Sequence, residues 1–378
     1  MPPPMPGKSP APLQQVLVQK HSASSGERLY ALDMLRGLDM FVLTVAAPFL
    51  LAIQQAWGIF PNGFIRQLNH APWEGLRAWD LVMPWFIFIC GAAIPFALPK
   101  HLSDGHAGWR FWRHVLGRVS LLWVLGMAVQ GNLLTLNWSI ISPYNNTLQA
   151  IAAGYLIAAC VWLIPKKWIR QTIPWGLAVL YTLLLMLYGD YSLNGNAAIR
   201  VDSLVLPMNH DGYGWSLTSM MFGVMTLCGV QCTEWLRSHH TSWRKMFRLL
   251  WCGAGLFLGG ILFSGWIPAI KRIYTITFTA QAMGLALFVL AGMFFLFDIV
   301  KVRKGTGLLL LFGRAALVAY VAATLFAPTL QTTVRILTQG LQPWTSGSTP
   351  VIQSFLSACL LTGILWVHTQ LKARRPHA

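Results

Sequence analysis

Hydrophobic positions along this chain come in blocks rather than in stripes. Between residues 38 and 371, long apolar runs alternate with short polar connections. A helix needs about twenty apolar residues to cross a bilayer, and a barrel strand needs only about ten. The runs have the longer length, and a backbone in lipid must satisfy its own hydrogen bonds, so they predict helices. Ten spans are expected, at 38–55, 80–98, 115–134, 148–164, 173–189, 215–235, 249–265, 274–298, 307–329 and 350–371. The expected fold class is all-α, a polytopic bundle of about ten transmembrane helices occupying residues 28–371. Residues 1–27, with prolines at 2, 3, 4, 6, 10 and 12 and no signal-peptide core, read as a disordered cytoplasmic tail. Residues 372–378 read as a short cytoplasmic tail.

Composition sharpens the picture. The chain is 55% hydrophobic and 10% charged, where a soluble domain carries about 25% charged residues. A net charge of +17 would suggest nucleic acid in a soluble protein. Here 21 of the 28 Lys and Arg residues fall on alternate connections and the tails, and six on the opposite side. That asymmetry predicts both termini in the cytoplasm and gives no reason to invoke a nucleic-acid partner. It places His70 in the first extracytoplasmic loop. The six cysteines lie in apolar runs without a CxxC pair, so neither disulfide nor metal is expected.

Four stretches carry candidate chemistry. In "RLYALDMLRGLDMF", residues 28–41, Asp33, Arg36 and Asp39 share one helix face. Intramembrane charges pair and face protein. A neutralised anchor and an anion-facing Arg36 both satisfy that spacing. In "LNHAPWEGLRAWDLVMPWFIFICG", residues 68–91, Pro72 and Gly75 mark an irregular loop around His70. An imidazole there is suited to proton abstraction, with Glu74 or Asp80 to orient it. A solvated loop histidine fits the same residues, and Trp73, Trp79 and Trp85 suit an interface belt. His210 and Asp211 precede the span at 215–235, where they would line the same vestibule; for Asp211, a helix cap is the alternative. Lys271 and Arg272 break the charge bias at the head of the next long span, which fits an anionic substrate or a local partner. Asp298 caps that span's inner end. Gly255 and Gly259 have the spacing of close helix packing.

Taken together and in this order, these blocks resemble the heparan-α-glucosaminide N-acetyltransferase family of transmembrane acyltransferases. The matches are Leu32, Asp33, Arg36 and Gly37, then His70-Ala71, Trp73 and Gly75, then Asp80-Leu81-Val82, Pro84-Trp85-Phe86 and Phe88. Leu148-Gln149, Gly229-Val230, Ile267-Pro268 with Lys271-Arg272, and Phe312-Gly313 extend it to about residues 28–371. The resemblance implies transfer of an acetyl group from cytoplasmic acetyl-CoA to an amino sugar across a membrane. It gives His70 the role of general base or transient acyl carrier, with Asp80 and Asn69 beside it. Arg36 with Asp33, Lys100, Arg118 and Arg314 are the candidates for holding CoA. Trp73, Glu74, His210, Asp211 and Lys271 are those for the acceptor. A bacterial inner membrane, contact with membrane lipid, a saccharide acceptor and a homodimer are compatible with this reading.

The chain departs from the family pattern at three amides. Ala47, Ile270 and Ala315 stand where the family has Asn. A changed acceptor, or a paralogue with weakened or altered activity, is the implied consequence, with Asn69 or Asn62 as a replacement for the first amide. The residues themselves leave open a second class, a small-molecule transporter or exporter, and a third, a membrane scaffold without activity.

Overall fold

The computed structural model describes residues 29–102, 107–130, 133, 142–206 and 212–374. The expected tail at 1–27 therefore lies outside the described residues, as do His210 and Asp211. The described helices are α1 (Tyr30–Phe41), α2 (Ala47–Trp57), α3 (Asn62–Gln67), α4 (Val82–Ala97), α5 (Trp109–Val129), α6 (Thr147–Trp162), α7 (Lys167–Tyr188) and α8 (Ala197–Val205). They continue with α9 (Ser219–Leu236), α10 (Ser242–Phe263), α11 (Ile276–Phe294), α12 (Gly307–Arg314), α13 (Ala316–Leu325), α14 (Ala327–Thr338), α15 (Gln342–Thr345) and α16 (Thr349–Arg374). A π-helical turn, Val42–Ala46, joins α1 to α2 in one continuous rod.

The all-helical expectation stands, but the count of ten spans does not. Among the described residues six helical stretches are long and apolar enough to cross a membrane: Tyr30–Trp57, Ala78–His101, Lys167–Tyr188, Ser242–Phe263, Ile276–Ile299 and Thr349–Arg374. The pair α12–α13, bent by 78° at Ala315, makes a seventh if it is one broken span. The expected spans that fall away have physical reasons. α5 carries Arg110, Arg113 and Arg118. α6 has only 16 residues. α9 has 18 residues and includes Gln231 and Glu234. Apolar runs that pack against other helices look, in sequence, like runs that meet lipid.

α9 forms the centre, packed against α4, α6 and α7. Close approach there needs glycine: a Cβ on Gly91 would overlap the Thr226 carbonyl, and one on Gly229 the Phe88 carbonyl. The same device joins α1 to α12, where Gly37 lies on the Leu309 carbonyl and Gly313 on that of Asp33. Gly255 and Gly259 have open space instead, and it is Gly253, Gly260 and Gly284 that bring α10 onto α11. Asp298 accepts from the amides of Tyr30 (3.2 Å) and Ala31 (2.8 Å), so it caps α1 rather than its own helix.

Candidate active site

The site is built where two loops meet. The first runs from Leu68 to Arg77. Gly75 adopts φ +106°, a conformation an L side chain resists. Its amide donates to the Ala269 carbonyl at 2.7 Å, and Glu74 forms an antiparallel bridge with Ile270. The Trp73 indole N–H donates to the Tyr191 carbonyl at 2.8 Å, bracing the loop from the other side. The second loop links α10 to α11. Thr275 Oγ1 accepts from the Ile270 amide and donates to the Pro268 carbonyl, and Thr277 Oγ1 donates to the Ile267 carbonyl. Tyr274 turns this loop through a left-handed φ of 45°. Its buried ring, set edge-on against Phe222 and Phe278, offsets that strain.

This frame gathers His70, Asp80 and Lys271. His70 Nδ1 lies 2.8 Å from Asp80 Oδ1. Lys271 Nζ lies 3.0 Å from His70 Nδ1 and 3.4 Å from Asp80 Oδ1. Asp80 Oδ2 accepts from the amides of Ala71 (3.2 Å) and Arg77 (3.1 Å), and Arg77 Nη1 donates to the His70 carbonyl at 2.8 Å. The carboxylate is 1% exposed and the imidazole side chain 46% exposed. With its proton on Nδ1 the ring donates to Asp80 and leaves Nε2 with its lone pair, the form a general base needs, whereas a charged Lys271 donates to Nδ1 and leaves the proton on Nε2. The arrangement therefore orients an accessible imidazole from a buried, fully bonded carboxylate.

Burial pushes the Lys271 ammonium down to about 8, against the pull of Asp80. The buried amine thus loses its proton in the physiological range. Its deprotonation removes a cation beside the imidazole and frees an acceptor for the Nδ1 proton. Both changes favour the tautomer with the proton on Nδ1 and the lone pair on Nε2. Any proton-abstracting activity is expected to rise through pH 8, and the step is expected to vanish in Lys271→Met. A pH profile of kcat/KM measures it; an unaltered step in the variant removes Lys271 as its origin.

Not every residue proposed from sequence joins this cluster. The Asn69 amide donates back to the Ile65 carbonyl at 2.9 Å and closes α3. The Glu74 side chain is exposed, and its backbone carries the bridge. Trp73 acts as a strut. Arg77 and Tyr191 were not anticipated. Only Arg77 left a signal, since a carboxylate three residues on commonly accepts the amide that opens a helix.

A second feature lies deeper. A cavity of about 350 Å³ is lined by Arg36 of α1, Arg118 of α5 and Arg314 of α12, with Cys90, Tyr320 and apolar residues between them. Arg118 also sits 4.7 Å above the Tyr155 ring. Asp33 lies 3.9 Å from Arg36. The Gly37–Gly313 crossing is what sets Arg36 beside Arg314. Lys100 goes elsewhere, to a neighbouring basic cavity of about 390 Å³ with His101, Arg110, Arg113 and His114. His101 and His114 stack there with centroids 3.9 Å apart.

With this geometry in view, comparison with known proteins gives one relationship. The chain is 26% identical over 143 residues to the heparan-α-glucosaminide N-acetyltransferase of Homo sapiens, covering 37% of this chain and 20% of that protein. It is 26% identical over 139 residues to the Mus musculus enzyme of the same name, covering 36% and 19%. The relationship is distant. The chain spans about a fifth of the length of the curated relatives it matches. No protein-family model matches it.

The three departures from the family amides fall in different places. Ile270 is fully buried, with its backbone in the loop bridge. Ala315 stands at the bend between α12 and α13. Ala47 is buried at the start of α2.

Proposed function

We propose that the protein is a transmembrane acyltransferase. It takes an acetyl group from acetyl-CoA on one side of the membrane and gives it to an amino sugar or other saccharide on the other. The observation that carries this reading is the His70–Asp80–Lys271 cluster at one end of α4 and an arginine-lined cavity further along the same helix. Phe86 lines that cavity six residues after Asp80, a separation of about 10 Å at helical rise. The sidedness draws support from a single stretch. Tyr30–Trp57 is long enough to cross, carries Arg36 near its start, and leads at its far end into the His70 loop. In this reading the arginine-lined cavity faces the cytoplasm, where the donor is held, as across a bacterial inner membrane.

CoA is a polyanion with a thin pantetheine arm, and such a donor suits two basic cavities, both lined from α5. Its phosphates would meet Lys100, Arg110 and Arg113, with the arm beside Arg36, Arg118 and Arg314. At the other end, Nε2 of His70 removes a proton from the acceptor amine or hydroxyl as it attacks the thioester carbonyl. The C–S bond breaks, the CoA thiolate leaves, and the imidazolium returns the proton to it or to water. Asp80 holds the ring and stabilises the imidazolium.

Acetyl transfer from labelled acetyl-CoA to a panel of amino sugars, by purified protein, tests the reading. Arg314→Met is expected to weaken acetyl-CoA binding by about 10-fold or more, the worth of one charge-assisted hydrogen bond, read as reduced ligand-dependent thermal stabilisation. Unchanged binding would take Arg314 out of the donor site. One observation favours a transporter instead: the bend between α12 and α13 resembles the broken helices around transporter sites. Flux into sealed vesicles without an acyl donor would favour that reading.

A further inference from the structure

A cavity of about 600 Å³ belongs to neither site above. It lies between α2, α14 and the first half of α16, at the end of the Tyr30–Trp57 stretch that leads to His70. Its wall is of two kinds. Val45, Leu51, Leu330 and Leu361 give an apolar side. Gln55, Gln331, Ser354 and Arg335 give a polar one. Arg335 is the one charged residue of the lining, it is exposed, and no carboxylate pairs with it among the described residues. Ile336 and Leu337, next to it on α14, are more than 60% exposed, so the helix also offers apolar side chains outward.

A guanidinium with no carboxylate partner among the described residues, set among the amides and hydroxyls of one cavity, is suited to an anion. Its position in the last turn of α14 favours a cation, but the helix end offers none of the planar, two-oxygen pairing that a guanidinium prefers. An anionic head, hydroxyl groups for the amides and the serine, and a hydrocarbon chain for the apolar side describe one ligand class. We propose that this cavity binds an anionic membrane phospholipid, its phosphate on Arg335 and its head-group hydroxyls on Gln55, Gln331 and Ser354. The lipid reaches it sideways from the leaflet on the His70 side. A water-soluble phosphate shares the head-group chemistry but leaves the apolar wall uncovered. The inference stands apart from acetyl transfer and survives if that reading fails.

The test uses the full chain in nanodiscs of phosphatidylcholine doped with fluorescent phosphatidylglycerol, with bound lipid measured after detergent extraction. The wild type is expected to retain phosphatidylglycerol over phosphatidylcholine by about 10-fold. Arg335→Gln and the cavity-filling Ala358→Trp are expected to lose that preference, while Arg335→Lys keeps part of it. Lipid held only by the general positive charge would be insensitive to Ala358→Trp. Equal retention in Arg335→Gln, indifference to Ala358→Trp, or full competition by glycerol phosphate would each overturn the proposal. Thermal melts of all variants verify folding; should Ala358→Trp unfold, Ser354→Leu replaces it.

Discussion

His70→Ala is expected to lower kcat/KM for acetyl transfer by about 10²–10⁴-fold, the range for losing a positioned general base. The fold should hardly notice. The imidazole side chain is nearly half exposed, and Asp80 keeps Lys271 and two backbone amides when the ring is gone. The expected result is therefore an intact melting transition, normal acetyl-CoA binding and almost no product. Acetylated acceptor at the wild-type rate would end the catalytic role. A covalent acetyl-imidazole predicts in addition that the wild type, given acetyl-CoA without acceptor, releases one equivalent of CoA in a burst. A direct transfer predicts no burst.

Asp80→Ala is expected to do more damage, because it strikes fold and chemistry together. The carboxylate is buried and bonded on both oxygens, and Lys271 is buried beside it. Removing one partner of a buried pair costs about 3–5 kcal/mol. Lys271 would then be left with a desolvated amine and no anion. The double variant Asp80→Ala/Lys271→Met is expected to recover most of that stability, since the stranded cation is gone. It should recover no activity, since Nδ1 has still lost its acceptor. Chemical denaturation of the single and double variants measures the coupling. Recovery of transfer in the double variant would show that orienting the imidazole does not matter.

Parts of this architecture were legible in the sequence, and the gaps follow from what hydropathy measures. Helices and their order came from run length, and the fold is helical throughout the described residues. The span count erred because α6 and α9 are apolar on account of protein neighbours rather than lipid. A window of residues does not distinguish a helix surrounded by helices from one surrounded by acyl chains. At the candidate site, Asp80 was visible as a carboxylate near His70. Lys271 was visible as a charge on the wrong side and, through the resemblance, as a residue for the acceptor, not as a partner of the imidazole. That it lies against the imidazole depends on the Glu74–Ile270 bridge, a contact between distant segments that no local pattern encodes. The arginines divided similarly. Arg36, Arg118 and Arg314 share a cavity because Gly37 and Gly313 let α1 and α12 touch, whereas Lys100 turns to a different pocket. The role of Tyr191 is played by a backbone carbonyl, for which residue identity carries no signal.

The two loops that frame the imidazole also set when the chain becomes reactive. Lys271 and His70 are 201 positions apart, and the bridge between their loops needs α4, α10 and α11 all in place. A nascent chain that has inserted only its first spans has the ring but not the second loop that frames it. A misassembled one has both, held apart. As an acetyltransferase the chain is expected to gain activity late, at a rate that follows the assembly of α11 rather than that of the segment bearing the histidine.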